Sequence, residues 1–181
     1  MADILEDVQF PDGAKNMAGI SKNAYIAFES SFTTLGTPVE EPADLGAVVT
    51  ITTAHVLKSG AKVHKLTVMY DKSTIESTMV GATRKSHSWK PKAKLFYAGT
   101  EAKVLGFAAK IQNADLITFL EPLNGEGMIQ IGSSKLPAYV VSGSVKLGEG
   151  PEGEKGVTFE IEAPCDAPYY LYTGILPRVG A

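Results

Sequence analysis

Residues 157–162 read VTFEIE, with Val157, Phe159 and Ile161 on one side of an extended chain and Thr158, Glu160 and Glu162 on the other. Side chains alternate between faces in a strand, so this pattern predicts a half-buried strand with the apolar set inward. The same period governs residues 63–70, where His64, Leu66, Val68 and Tyr70 form the more apolar face and are expected in the core. Residues 48–53, VVTITT, are β-branched throughout and read as another strand. Residues 24–32, 95–97, 116–120, 128–131, 139–147 and 169–173 extend the series, and residues 74–83 are extended but poorly patterned. Lys58-Ser59-Gly60 and Asn124-Gly125 read as turns between them. Roughly ten strands at this spacing predict a mainly β fold, an antiparallel β-sandwich or barrel.

One helix is expected on its flank, over residues 100–112. Thr100 is a suitable N-cap and Glu101 suits the first turn. Val104, Leu105, Phe107, Ala108 and Ile111 form an amphipathic stripe, and Gly106 is expected to mark close packing against a sheet. Phe107 and Phe159 are both expected in the core. The chain has 181 residues, 44% apolar and 20% charged, which bounds it to one domain, residues 21–181, behind an irregular arm of residues 1–20. No apolar run approaches the ~20 residues of a membrane helix, so no membrane partner is expected. The opening MADILEDVQF is acidic and resembles neither a signal nor a transit peptide.

Net charge is −3, but its distribution is uneven. Residues 1–57 hold 2 Lys/Arg and 8 Asp/Glu, residues 58–110 hold 11 and 3, and residues 111–181 hold 4 and 9. The segments therefore carry −6, +8 and −5. Such segregation speaks of partners rather than of fold.

Sequence signatures of catalysis are weak. Residues 148–153 spell GxGxxG, but a dinucleotide loop must open a helix, and here another strand follows. Pro151 lacks an N–H, and Glu149, Glu152 and Glu154 would repel phosphate, so a flexible acidic hairpin loop is expected. His55, His64 and His87 show no metal-site spacing and are expected at or near the surface. The single cysteine, Cys165, excludes an internal disulfide and a Cys-based zinc cluster. With Asp166 beside it, it reads as an inert packing thiol. Ser142-Gly143-Ser144 reads as a bulge, and no GxSxG occurs. No enzymatic activity, cofactor or metal is expected.

The basic block carries the strongest signal. Residues 71–94 read as a protruding polar hairpin in which Arg84, Lys85, His87, Trp89, Lys90, Lys92 and Lys94 cluster. Cations around an aromatic stacker suit single-stranded nucleic acid. They equally suit an interface with another copy, where Trp89 gains from burial. The acidic counter-surface is then expected at Glu40, Glu41 and Asp44 in a loop and at Glu149, Glu152 and Glu154 in the GxGxxG segment. Acidic flanks on both sides favour assembly over nucleic-acid binding.

The order of features over residues 20–177 resembles the tail tube (major tail) proteins of tailed bacteriophages, whose fold is shared with contractile injection systems. The resemblance rests on the basic extended segment 71–94, the strand 94–97 leading into the single helix, Ile129-Gln130-Ile131-Gly132, and a closing hairpin. That hairpin has a K-G-x-T-F-x-I-E-A run at residues 155–163 and a Y-x-Y-T-G finish at residues 170–174. It implies a virion structural protein, assembled in the host cytoplasm into rings of six that stack as the tail tube. Its partners would be copies of itself, other tail proteins, and DNA passing through the lumen without sequence-specific binding. It further implies an inner wall of strands joined across subunits, acidic in character, with the extended loop and termini locking ring to ring. A nucleic-acid-binding β domain and another virion part of related fold, a head decoration or tail-completion protein, remain the alternatives.

Overall fold

Leu116–Pro122 begins with five consecutive buried residues, LITFL, which one solvent-facing sheet cannot accommodate. Its sheet is instead covered on both faces, as continuous apolar strands require. The computed structural model describes residues 5–9, 11–125, 127–178 and 180. In chain order these form β1 (Ile20–Phe28), β2 (Phe32–Thr34), β3 (Thr50–Ile51), β4 (Val56–Leu57), β5 (His64–Thr67), β6 (Thr74–Val80), β7 (Ser88–Tyr97), α1 (Ala102–Ile111), β8 (Leu116–Pro122), β9 (Met128–Ile131), β10 (Tyr139–Lys146), β11 (Gly156–Glu162) and β12 (Tyr170–Tyr172).

Six strands form one sheet in the order β3-β12-β9-β8-β1-β5, and four form a second in the order β10-β11-β7-β6. The short pair β2-β4 stands apart. Pairing is antiparallel except between β12 and β3, and neither sheet closes into a barrel. The mainly β sandwich with one flanking helix is therefore the fold. Its main core lies between the sheets. Ala24, Leu116 and Leu120 of the larger sheet meet Leu95, Phe159 and Ile161 of the smaller, and Val104 and Ile111 of α1 pack against them. A second core covers the far face of the larger sheet, where Ile117, Phe119 and Tyr172 meet Phe32, Leu57 and Leu176.

Several elements depart from the expectations. The first strand is Ile20–Phe28, and a 3-10 turn, Glu29–Ser31, replaces its expected end. Residues 48–53 supply only Thr50–Ile51, because a 3-10 turn at Gly46–Val48, capped by Val49, takes the start of the run, and Thr52 and Thr53 leave the sheet. In residues 63–70 Leu66 and Val68 are buried as expected, but so is Val63, while His64 and Tyr70 are exposed. This sheet offers two apolar faces, so Val63 on the opposite side is drawn into the second core. The N-cap of α1 is Glu101, not Thr100, and it makes no side-chain cap bond. The bulge on β10 falls between Val140 and Ser142, one residue before the expected site. Gly132 of the IQIG run turns at φ +95, with Ala138 N 2.7 Å and Leu116 O 2.9 Å from where a Cβ would stand. No helix among the described residues is long and apolar enough to cross a membrane.

The expected protruding hairpin is mostly sheet. β6 pairs with β7 from Thr74↔Lys94 to Val80↔Ser88. β11 flanks β7 on its other side as far as Lys92, and Cys165 bridges to Trp89 beyond it. Within residues 71–94 only residues 71–73 and 81–87 lie outside the strands.

Replacement of Phe159, 2% exposed, by Ala is expected to cost about 3–5 kcal/mol in urea unfolding. Phe107 is only half-buried, against the expectation, and Phe107→Ala should cost clearly less.

Candidate assembly surface

β7 carries KPKAKL over residues 90–95, an alternation concealed by its lysines. Ala93 and Leu95 enter the core, so Lys90, Lys92 and Lys94 stand on the opposite, outer face of the four-stranded sheet. Pro91 lies just past the last β11–β7 ladder pair, Glu162↔Lys92, and its carbonyl accepts from Ala163 N–H at 3.3 Å. Across the ladder, β11 presents Glu160 and Glu162 on the same outer face, and β6 presents Glu76 opposite Lys92.

Two of the three lysines find carboxylates within the chain. Lys92 Nζ lies 2.8 Å from Glu160 Oε2, and Lys90 pairs with Glu162. Both are diagonal cross-strand pairs, a separation that long side chains span. Ser142 donates to Glu160 at 2.8 Å, and Tyr139 donates to Glu162 at 2.8 Å. Burial opposes ionisation of Glu162, 6% exposed, but the bonds from Lys90 and Tyr139 overcome it and hold its carboxyl below the ordinary range. The hydrogen bond to Glu160 raises the Lys92 ammonium, and that to Glu162 raises Lys90. The sequence places these acids on outward positions. It does not show them as partners of the lysines, because strand register is a tertiary fact.

The other candidates are distributed as follows. Arg84, Lys85 and His87 are exposed in the β6–β7 connection, where Lys85 adopts φ 65. Trp89 is half-buried opposite Met79, and its N–H and carbonyl each bond Cys165 at 2.8 Å. Glu40 and Glu41 are exposed, while Asp44 accepts from Ala47 N–H at 2.8 Å and so closes the 3-10 turn. Glu149 and Glu152 are exposed in the β10–β11 connection, and Glu154 lies 3.5 Å from Lys72. Among the described residues no ion pair joins the seven basic-block residues to this acidic set. The GxGxxG segment joins two antiparallel strands, as expected.

One cluster escapes sequence reasoning. His55 is 4% exposed and stacks on Tyr172 at 3.9 Å between ring centroids. Gly36 N–H donates to its Nδ1 at 3.0 Å, so the Nε2–H donates to Gln130 Oε1 at 3.0 Å. Gln130 in turn donates to Gly132 O, and Tyr172 OH donates to Ile175 O. Gln130 sits in the IQIG run, but nothing there signals a histidine partner 75 residues away. Burial drives the imidazole down to about 4, against which the Gln130 bond acts only partly. Cys165 is buried too, and burial pushes its thiol up, which fits a packing role.

Two concavities stand out among the described residues. A cleft of about 680 Å³ opens between residues 36–42 and residues 164–170, with Glu40 on its wall. An apolar groove of about 550 Å³ runs between α1 and the end of β1, floored by Ile26, Phe28, Phe107 and Leu116 and rimmed by Lys103 and Lys110. Gly106 does not pack against a sheet; it faces this open groove, with nothing within 4 Å of where a Cβ would stand. Among the described residues no group of three His, Cys, Asp or Glu side chains is placed to hold a metal.

Two outcomes follow. The His55 ring is neutral when folded and binds a proton near its ordinary 6.5 when unfolded, so the unfolded chain binds more protons between pH 6.5 and 4. Stability is full above that window and falls as pH drops through it, by about 2 kcal/mol between about pH 7.5 and 5 in urea titrations. His55→Gln should lack this loss. Lys90→Glu should destabilise the isolated chain, by on the order of 1 kcal/mol because solvent screens a lysine one-third exposed. An unchanged melting temperature would deny Lys90 its role within the monomer.

Comparison with protein families, with curated proteins and with solved structures finds no match to this chain.

Proposed function

We propose that this chain is a structural subunit of a phage tail tube, assembling head to tail into six-membered rings that stack around a genome-conducting bore. The observation that carries this reading is the pair of unsatisfied borders of the four-stranded sheet. β10 and β6 each have a neighbour on one side only. Both are long for edge strands, with eight and seven residues. Both expose apolar side chains: Val141 and Val145 on β10, Met79 and Val80 on β6. Such edges recruit strands from other chains unless something protects them. Pairing β10 of one copy with β6 of the next joins two different surfaces, and a ring of such contacts closes without leaving an edge.

The outer face of that sheet would then line the bore. It carries Lys90, Lys92, Lys94 and Lys146 against Glu76, Glu160 and Glu162, interspersed with Ser142, Ser144 and Thr158. This balanced polar wall differs from the acidic wall that the tail tube resemblance implies. Pairing of Lys90 and Lys92 with glutamates leaves them little charge to offer phosphate, so DNA would pass without being held. The same pairing weakens the reading as a dedicated nucleic-acid-binding domain.

Electron micrographs and light scattering of the purified protein are expected to show rings or tubes. Val141→Lys/Val145→Lys should leave a folded monomer, with stability within about 0.5 kcal/mol of wild type, that no longer assembles. A wild-type protein that stays monomeric at high concentration, even beside tail components, would sink the proposal.

A further inference from the structure

We propose that residues 36–45 form a flap beside the cleft they share with residues 164–170, held shut by the bond from Gly36 to His55 and released when the imidazole takes up a proton. The flap has few other fastenings. Among the described residues, residues 37–45 make no hydrogen bond beyond Asp44, which accepts from Ala47 N–H. None of residues 37–45 is buried. One end is anchored past the 3-10 turn, where Leu171 N–H donates to Val49 O at 2.9 Å. The other end is Gly36, which is buried and whose N–H donates to His55 Nδ1 at 3.0 Å. A Cβ on Gly36 would stand 2.5 Å from Thr53 O, so this end is held backbone against backbone, with the imidazole as its catch.

The ring determines which bond acid breaks. Nε2–H donates to Gln130 Oε1 at 3.0 Å in either charge state, and Gln130 is kept in that orientation by its own bond to Gly132 O. Nδ1 accepts when the ring is neutral and carries a proton when it is charged, so charging sets one donor against another at Gly36. Among the described residues no counter-charge meets the ring. It is surrounded by Phe32, Gly36, Phe119, Gln130 and Tyr172. Tyr172 alone of these is titratable, and its hydroxyl accepts from His55 N–H and donates to Ile175 O. A charged imidazole therefore gains by reaching solvent. Gly36 and Gln130 both line the cleft, so the ring's way to solvent passes Gly36. Parting residue 36 from the ring moves the cleft wall of Thr37, Pro38, Val39 and Glu40 away from Cys165 and Tyr170. The inference does not rest on the tube reading.

Cys165 lines the cleft, is 7% exposed and is the chain's single cysteine, so its labelling reports the flap. The full chain is treated with a dipyridyl disulfide, which reacts with thiols in acid as well as at neutral pH. Each rate is divided by that of the urea-unfolded chain at the same pH. The ratio should rise about thirtyfold between about pH 7.5 and 5, since the imidazole titrates near 6.5 when released and near 4 when latched. His55→Gln, whose side chain stays neutral, should abolish the rise. A flat ratio in the wild type overturns the proposal. So does a rise that persists in His55→Gln, which would assign the opening to Glu40, Glu41, Asp44 or Asp166. A rate that climbs with urea as steeply as global unfolding also overturns it, because the thiol would then be reached by unfolding and not by a flap. Should His55→Gln not fold, exchange of the Gly36 amide in the wild type, followed by NMR and corrected for its intrinsic rate, should show the same rise. An unchanged exchange rate there overturns the proposal as well.

Discussion

Burial of β8 on both faces is the constraint on which the rest of the molecule depends. Leu116 and Leu120 belong to the core between the sheets, and Ile117 and Phe119 belong to the core behind. Two covering layers are therefore required. The four-stranded sheet and α1 supply one, and β2, β4 and the C-terminal segment around Leu176 supply the other. The His55 network lies in the second layer and joins Gly36, Gln130, Tyr172 and Ile175, which are distant in sequence. Its neutral imidazole is tolerated there because both ring nitrogens are satisfied.

The ladder of Lys90, Lys92, Glu160 and Glu162 gives the basic block a different meaning. A run of lysines suggests charge offered outward, yet two of them are answered one strand away. The exposed remainder is Arg84, Lys85 and His87 in the β6–β7 connection, with Lys94 at the outer face. The +8 of residues 58–110 is thus divided. Part is spent within the sheet, part lies at residues 81–87, and Lys103 and Lys110 rim the groove on α1.

The proposed self-association rests on the borders of the four-stranded sheet, since two exposed strand edges would permit lateral addition within a ring. The proposed assembly therefore draws on strand edges with exposed apolar side chains, β10 and β6, rather than on a core left unfilled between the sheets.

Sequence alone determines the local elements here. Alternation in VTFEIE correctly sends Val157, Phe159 and Ile161 inward, and the apolar stripe of residues 104–111 forms the helix, because side-chain direction follows from backbone period. It also determines the segregation of charge. What only the tertiary structure decides is which elements meet. The short strand at Thr50–Ile51 exists because β12 pairs with it, Val63 is buried because a second core covers its face, and Lys92 finds Glu160 because β7 lies beside β11 in one register. His55 becomes a core residue because residues 32–36, Phe119, Gln130 and Tyr172 close around it from remote parts of the chain. Long-range register has no periodic trace along the chain, and that is the physical reason a basic hairpin and an acidic strand look independent until the sheet sets them side by side.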